Sequence, residues 1–157
     1  MFNGAFTDLL LILLAAILVV AAAIDIRTFT ISNRLNLTVA LLAPVYWVSI
    51  GLTPWPGIAI HLAAATIVFV VLAAAFYAGM MGGGDVKLAA ALALWFSPAG
   101  TLKFLVWMSI AGGVLTIGIL AWHRARRREG RPEIPYGVAI AFGGLAILAQ
   151  RFLNQFV

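Results

Sequence analysis

Long apolar runs separated by short polar breaks divide the chain into six stretches: Phe6 to Ile24, Leu35 to Gly51, Gly57 to Ala78, Val86 to Phe96, Leu102 to Trp122 and Ile134 to Phe152. Most approach the ~20 residues a helix needs to cross about 30 Å of hydrocarbon. The expected fold is therefore all-α, a polytopic six-helix transmembrane bundle forming one domain over residues 1–157, with its backbone hydrogen bonds closed inside helices. The first run has the look of a signal-peptide core, but Met1 to Thr7 contains no lysine or arginine, so it is expected to stay as a mature helix.

The fourth stretch is too short. From Asp85 to Ser97, where Pro98 is expected to stop the helix, the chain spans only about 20 Å at ~1.5 Å per residue. With the outer interface at Pro98 to Lys103, Asp85 lies about 10 Å below the opposite surface, and the glycines before it continue as non-helical backbone at depth. Such backbone is tolerated only where protein or water lines it. Measured from Asp8, Asp25 is about 25 Å down the first helix and so reaches a similar depth.

Composition strengthens the membrane reading: 64% of the 157 residues are hydrophobic. The absence of cysteine excludes disulfides, thiolate nucleophiles, Cys-type zinc sites and iron–sulfur clusters. His61 and His123 are too far apart to suggest a metal site, and no residue cluster calls for a metal or a cofactor. The net charge of +5 comes mostly from Arg124, Arg126, Arg127, Arg128 and Arg131. Because this 124–131 cluster follows an apolar span, anionic lipid explains it better than nucleic acid does. Arg27, Arg34, Lys87 and that cluster fall in alternate breaks and so share one face, expected to be cytoplasmic, which leaves Lys103, Arg151 and both termini outside.

Only two of the five acidic residues sit in apolar surroundings. Asp8, Glu129 and Glu133 lie in segments that can face water, whereas Asp25 ends the first run and Asp85 follows Gly82-Gly83-Gly84. An intramembrane carboxylate is expensive unless paired, hydrated or protonated, and so marks a candidate site. Two carboxylates in one site do not both ionise cheaply, so one holds a proton while the other stays anionic. Such a pair is an acid and a base: the anion activates water, and the acid polarises a carbonyl. Peptide hydrolysis without a covalent intermediate is the natural reaction. Glycine beside one aspartate lets a substrate backbone approach closely, although glycine in membrane helices also serves helix packing.

Two stretches carry a family resemblance. Gly82-Gly83-Gly84-Asp85-Val86-Lys87, continued by Leu88-Ala89-Ala90-Ala91-Leu92, resembles the GxGD motif of type IV prepilin peptidases. Asp25-Ile26-Arg27 through Ile31-Ser32-Asn33 resembles that family's first aspartate, arginine and Ile-Pro-Asn pattern, with Ser32 in place of the proline. Pro135-Tyr136-Gly137-Val138-Ala139 is similar to the start of its late helix. The likeness is to the small branch serving tight-adherence (Flp-type) pili. It implies an aspartic endopeptidase of the bacterial inner (plasma) membrane, with catalytic Asp25 and Asp85, that removes the basic leader of prepilins, and possibly of pseudopilins, at the cytoplasmic face. The larger members carry a domain with paired Cys-x-x-Cys motifs linked to methylation. This chain has no cysteine, so no methyltransferase activity is expected.

Around the two aspartates, Gly82, Gly83 and Gly84 are expected to form a supporting loop, and Lys87, Arg27 and Asn33 to give electrostatic or substrate support. Each has a blander reading: Lys87 and Arg27 as interfacial anchors, Ser32 or Asn33 as a helix cap, and His61 as a packed side chain. Trp47, Trp55, Trp95, Trp107 and Trp122 are read mostly as interfacial anchors, and Glu133 as a solvated loop acid. Two other activities compete: a presenilin-like intramembrane protease, although the Tyr-Asp and Pro-Ala-Leu motifs of that family are missing, and a small proton- or cation-coupled transporter using the buried pair.

Overall fold

The computed structural model describes residues 4–127, 130 and 132–154. These form helices α1 (Gly4–Thr28), α2 (Asn33–Ser49), α3 (Ala59–Tyr77), α4 (Gly83–Ala93), α5 (Pro98–Ala125) and α6 (Tyr136–Asn154), with no strand among the described residues. Local chemistry sets most of the boundaries. Phe29, at φ 51°, turns the chain out of α1. Ser32 caps α2, its hydroxyl accepting from the Leu35 amide at 3.3 Å. Gly79, at φ +70°, closes α3 in the left-handed conformation that glycine adopts without penalty.

Two expectations about the fourth stretch are corrected. Pro98 does not stop a helix. The α4 helix ends at Ala93, and Pro98 instead opens α5, where a fixed φ and a missing amide cost nothing, behind Ser97, whose hydroxyl accepts from Gly100 N–H at 3.2 Å. The glycines are not an extended loop either: Gly83 and Gly84 form the first turn of α4, and only Gly82, at its N-cap, is extended.

Four segments are long and apolar enough to cross a membrane: α1, Pro54–Tyr77 containing α3, α5 and α6. The 17-residue α2 and 11-residue α4 reach only about 25 and 16 Å. The α4 helix is sheltered by α2, α3 and α6, which bury Val86, Leu88, Ala89, Ala91 and Leu92. A short helix can lie at membrane depth when protein surrounds it. The core continues along α1 through Leu10, Leu11, Leu14, Leu18 and Ala21, at helical spacing, and across to Ile140 and Leu148 of α6. On α6, Gly143 lies against the α5 backbone, where an added Cβ would meet Met108 N and Phe104 O at 3.0 Å. Small residues at such crossings let membrane helices pack by backbone contact.

By contrast, α3 and α5 are outer helices. They bury few residues and expose Ile67, Val70 and Val71 on α3 and Val106, Val114 and Ile117 on α5. Contiguous apolar surface of this kind suits a lipid surround. Trp47 and Trp95, expected at interfaces, are instead buried. Their indole N–H groups donate to Leu94 O at 2.8 Å and Val39 O at 3.0 Å, tying α2 to the end of α4. Trp55, Trp107 and Trp122 are exposed. His61 is packed, with Nδ1 3.0 Å from Gly57 O.

Candidate active site

At one end of the bundle, the end of α1, the 29–32 loop and the starts of α4 and α6 converge. Asp25 occupies the last turn of α1 and is 2% exposed. Its Oδ2 accepts from the Gly137 amide at 2.7 Å, with the Val138 amide, itself on Pro135 O, close by. These are amides of the first turn of α6, which have no partner within their own helix. A helix N-terminus presents free N–H groups and partial positive charge, so α6 holds the Asp25 carboxylate as it would a bound anion.

Asp85 lies in the first turn of α4 and is 8% exposed. Its Oδ2 accepts from the Gly82 amide at 3.2 Å, the reach-back contact of a helix cap. The charge of Asp25 acts directly on Asp85, so residues sixty apart in sequence share one electrostatic environment.

Close backbone approach keeps the elements together. An added Cβ at Gly84 would lie 2.7 Å from Ile31 O, and one at Gly137 would lie 2.6 Å from Ile31 Cδ1 and 2.8 Å from Asp25 Oδ2. Ile31 is therefore clamped between α4 and α6 through two glycines. Buried Asn36 of α2 adds a third tie, donating Nδ2–H to Gly84 O at 2.9 Å while its Oδ1 has no protein partner. Of the three glycines, Gly82 supplies an amide to Asp85 and Gly84 permits the contact with Ile31, whereas Gly83 faces the ring edge of Phe76.

Lys87, Arg27 and Asn33 are exposed near the same end. Lys87 Nζ donates to Asn33 Oδ1 at 2.8 Å, joining α4 to α2. Among the described residues, neither Lys87 nor Arg27 forms an ion pair with Asp25 or Asp85, and no three His, Cys, Asp or Glu side chains gather as metal ligands. Glu133 is exposed, whereas Arg128, Glu129 and Arg131 lie outside the described residues.

Gly137, Val138 and Asn36 were not legible as parts of the site. Gly137 lies in the Pro135-Tyr136-Gly137 stretch, but its contact spans 112 positions and is made by a backbone amide. Two buried carboxylates, each accepting from a backbone amide, have the chemistry of an acid and a base.

A family model described as the type IV leader peptidase family matches residues 12–117, which include both aspartates. No curated protein and no solved structure matches the chain. With more than half of its length matched, the chain belongs to the type IV leader peptidase family and is a membrane protein with aspartic-type prepilin leader peptidase activity.

Proposed function

We propose that Asp25 and Asp85 are the catalytic pair of this peptidase. One carboxylate removes a proton from a water molecule, which attacks the scissile carbonyl; the other, protonated, polarises that carbonyl and then returns its proton to the leaving amine. The observation that carries this reading is buried Asp25, fixed by the α6 amides within electrostatic reach of Asp85. Gly82, Gly83 and Gly84 support Asp85, and Lys87, Arg27 and Asn33, exposed at the same end, give the substrate electrostatic support.

The chain is a single peptidase domain of the small Flp-type branch in the bacterial inner membrane, with its active site toward the cytoplasm and both termini outside. Its substrates are prepilins, cut just before their apolar helix. The orientation is supported by Arg27, Arg34, Lys87, Arg124, Arg126 and Arg127, which lie in the last turn of α1, near the starts of α2 and α4 or at the end of α5, at the end that carries the carboxylates. Basic residues of the 124–131 segment meet anionic lipid there, and Arg126 stacks over the Trp122 ring at 4.5 Å.

Asp25→Asn and Asp85→Asn are each expected to insert normally and to leave a co-expressed prepilin with its leader. Full processing by either variant would refute the assignment. The amino terminus of the mature product identifies the bond cut, and a cut inside the apolar helix would point instead to a presenilin-like activity.

A further inference from the structure

Between the outer helices α3 and α5, and floored by the start of α6, lies an apolar groove of about 380 Å³. Two of its lining residues adjoin the catalytic amides. Tyr136 immediately precedes Gly137, which donates to Asp25, and Met81 immediately precedes Gly82, which donates to Asp85. From there the groove follows α5 from Ile117 back to Ser109, about 12 Å along the helix and away from the carboxylates.

We propose that this groove seats the apolar helix that follows the scissile bond of the prepilin, holding the peptide bond over Asp25 and Asp85. The inference rests on the peptidase reading above and adds where the substrate helix docks. Three features select that occupant. The groove ends on Met81 and Tyr136, the chain neighbours of the two amide donors, so a helix lying in it begins near the two carboxylates. It opens on the faces of the two outer helices, which suits a helix arriving through lipid better than a ligand arriving through water. Its wall is built for helix contact: Gly113, with open space beside it, permits close backbone approach, Thr116 satisfies its own hydroxyl on Gly112 O at 2.7 Å, and Met80 and Met81 are adaptable side chains. The cavity holds one face of a helix and leaves the other face to lipid.

A second groove, of about 450 Å³ between α2, α3 and α4, does not meet this description. Lys87 and Asn33 at its rim are bonded to each other, it meets the site only through Asn36 on Gly84 O, and none of its lining residues is a chain neighbour of Gly82 or Gly137.

The cysteine-free chain gives a direct test. In an Asp85→Asn background, Gly113→Cys and, separately, Thr66→Cys in the second groove are paired with a prepilin carrying one cysteine two helical turns past the cleavage point. The expected result is a disulfide yield at least ~10-fold higher at position 113 than at position 66, because a disulfide forms only where the two Cα atoms come within about 7 Å. Equal yields, or a higher yield at position 66, would overturn the proposal. Binding is read without turnover, so a failure of the catalytic assignment leaves this result interpretable. In the active chain, nothing lies within 4 Å of a Cβ added at Gly113. Gly113→Trp is therefore expected to fill the groove and raise the KM for prepilin at least ~10-fold with little change in kcat. An unchanged KM would overturn the proposal.

Discussion

Replacing Gly137 with alanine adds one methyl group at the point where α1, the 29–32 loop and α6 meet. That carbon would lie 2.6 Å from Ile31 Cδ1, 2.8 Å from Asp25 Oδ2 and 2.9 Å from Asp25 Cγ. Unstrained contacts between such atoms are about 3.5–4.0 Å for carbon pairs, so something must move by over half an ångström. The Ile31 methyl is the end of a side chain and can turn away. The Asp25 carboxylate is held against the same residue by the 2.7 Å bond from the Gly137 amide, so it cannot retreat without stretching that bond. Overpacking of this kind costs about 1–3 kcal/mol. Alanine recovers up to ~1 kcal/mol over glycine in a helix. The net loss of stability is therefore small, whereas displacing a catalytic group by about 1 Å lowers turnover by as much as ~100-fold. Purified Gly137→Ala, assayed for leader removal in lipid vesicles well below its melting temperature, is expected to lose 10- to 100-fold in kcat while Tm falls by only a few degrees. A wild-type kcat would refute the claim that the α6 terminus positions Asp25.

The glycines before Asp85 separate in the same way. Gly84→Ala drives its Cβ to 2.7 Å from a backbone carbonyl that cannot turn aside and is expected to abolish most activity, whereas Gly83→Ala meets only the Phe76 ring at 3.3 Å and should stay within severalfold of wild type in the same assay. Asn36→Ala frees the Gly84 carbonyl, at a cost of about 1–3 kcal/mol for a buried group left unpaired; thermal unfolding should show that loss, with a drop in kcat beside it. Trp47→Phe removes the bond to Leu94 O and part of a buried ring, so it is expected to lower stability by about 1–3 kcal/mol without changing the rate of leader removal.

The two readings of the chain diverge where structure depends on distant contact. Helix positions were legible because apolar run lengths report them directly, and the starts and ends of α2, α3 and α6 fall within a few residues of expectation. The capping role of Ser32 was legible for a similar local reason. Pro98 was misread because proline both stops a helix and opens one, and only the Ser97 hydroxyl on the Gly100 amide distinguishes the two. Trp47 and Trp95 were misread because an indole suits an interface equally well until a backbone carbonyl is placed beside its N–H. The grip of α6 on Asp25 had no side-chain signal, since any residue at position 137 has an amide. What demands glycine there is the space beside Ile31 and Asp25, which exists only once the helices are packed.

The central claim is that Asp25 and Asp85 act as one unit. It is tested most directly by the rate of leader removal by purified Asp25→Asn, Asp85→Asn and the double variant, in lipid vesicles and with matched melting temperatures. Residues that work as a unit lose nearly all activity when either is replaced, and removing both costs little more. Both single variants should therefore fall to the background rate, with the double variant no lower. A single variant that keeps a rate within about tenfold of wild type, or losses that add in the double variant, would contradict a shared catalytic site.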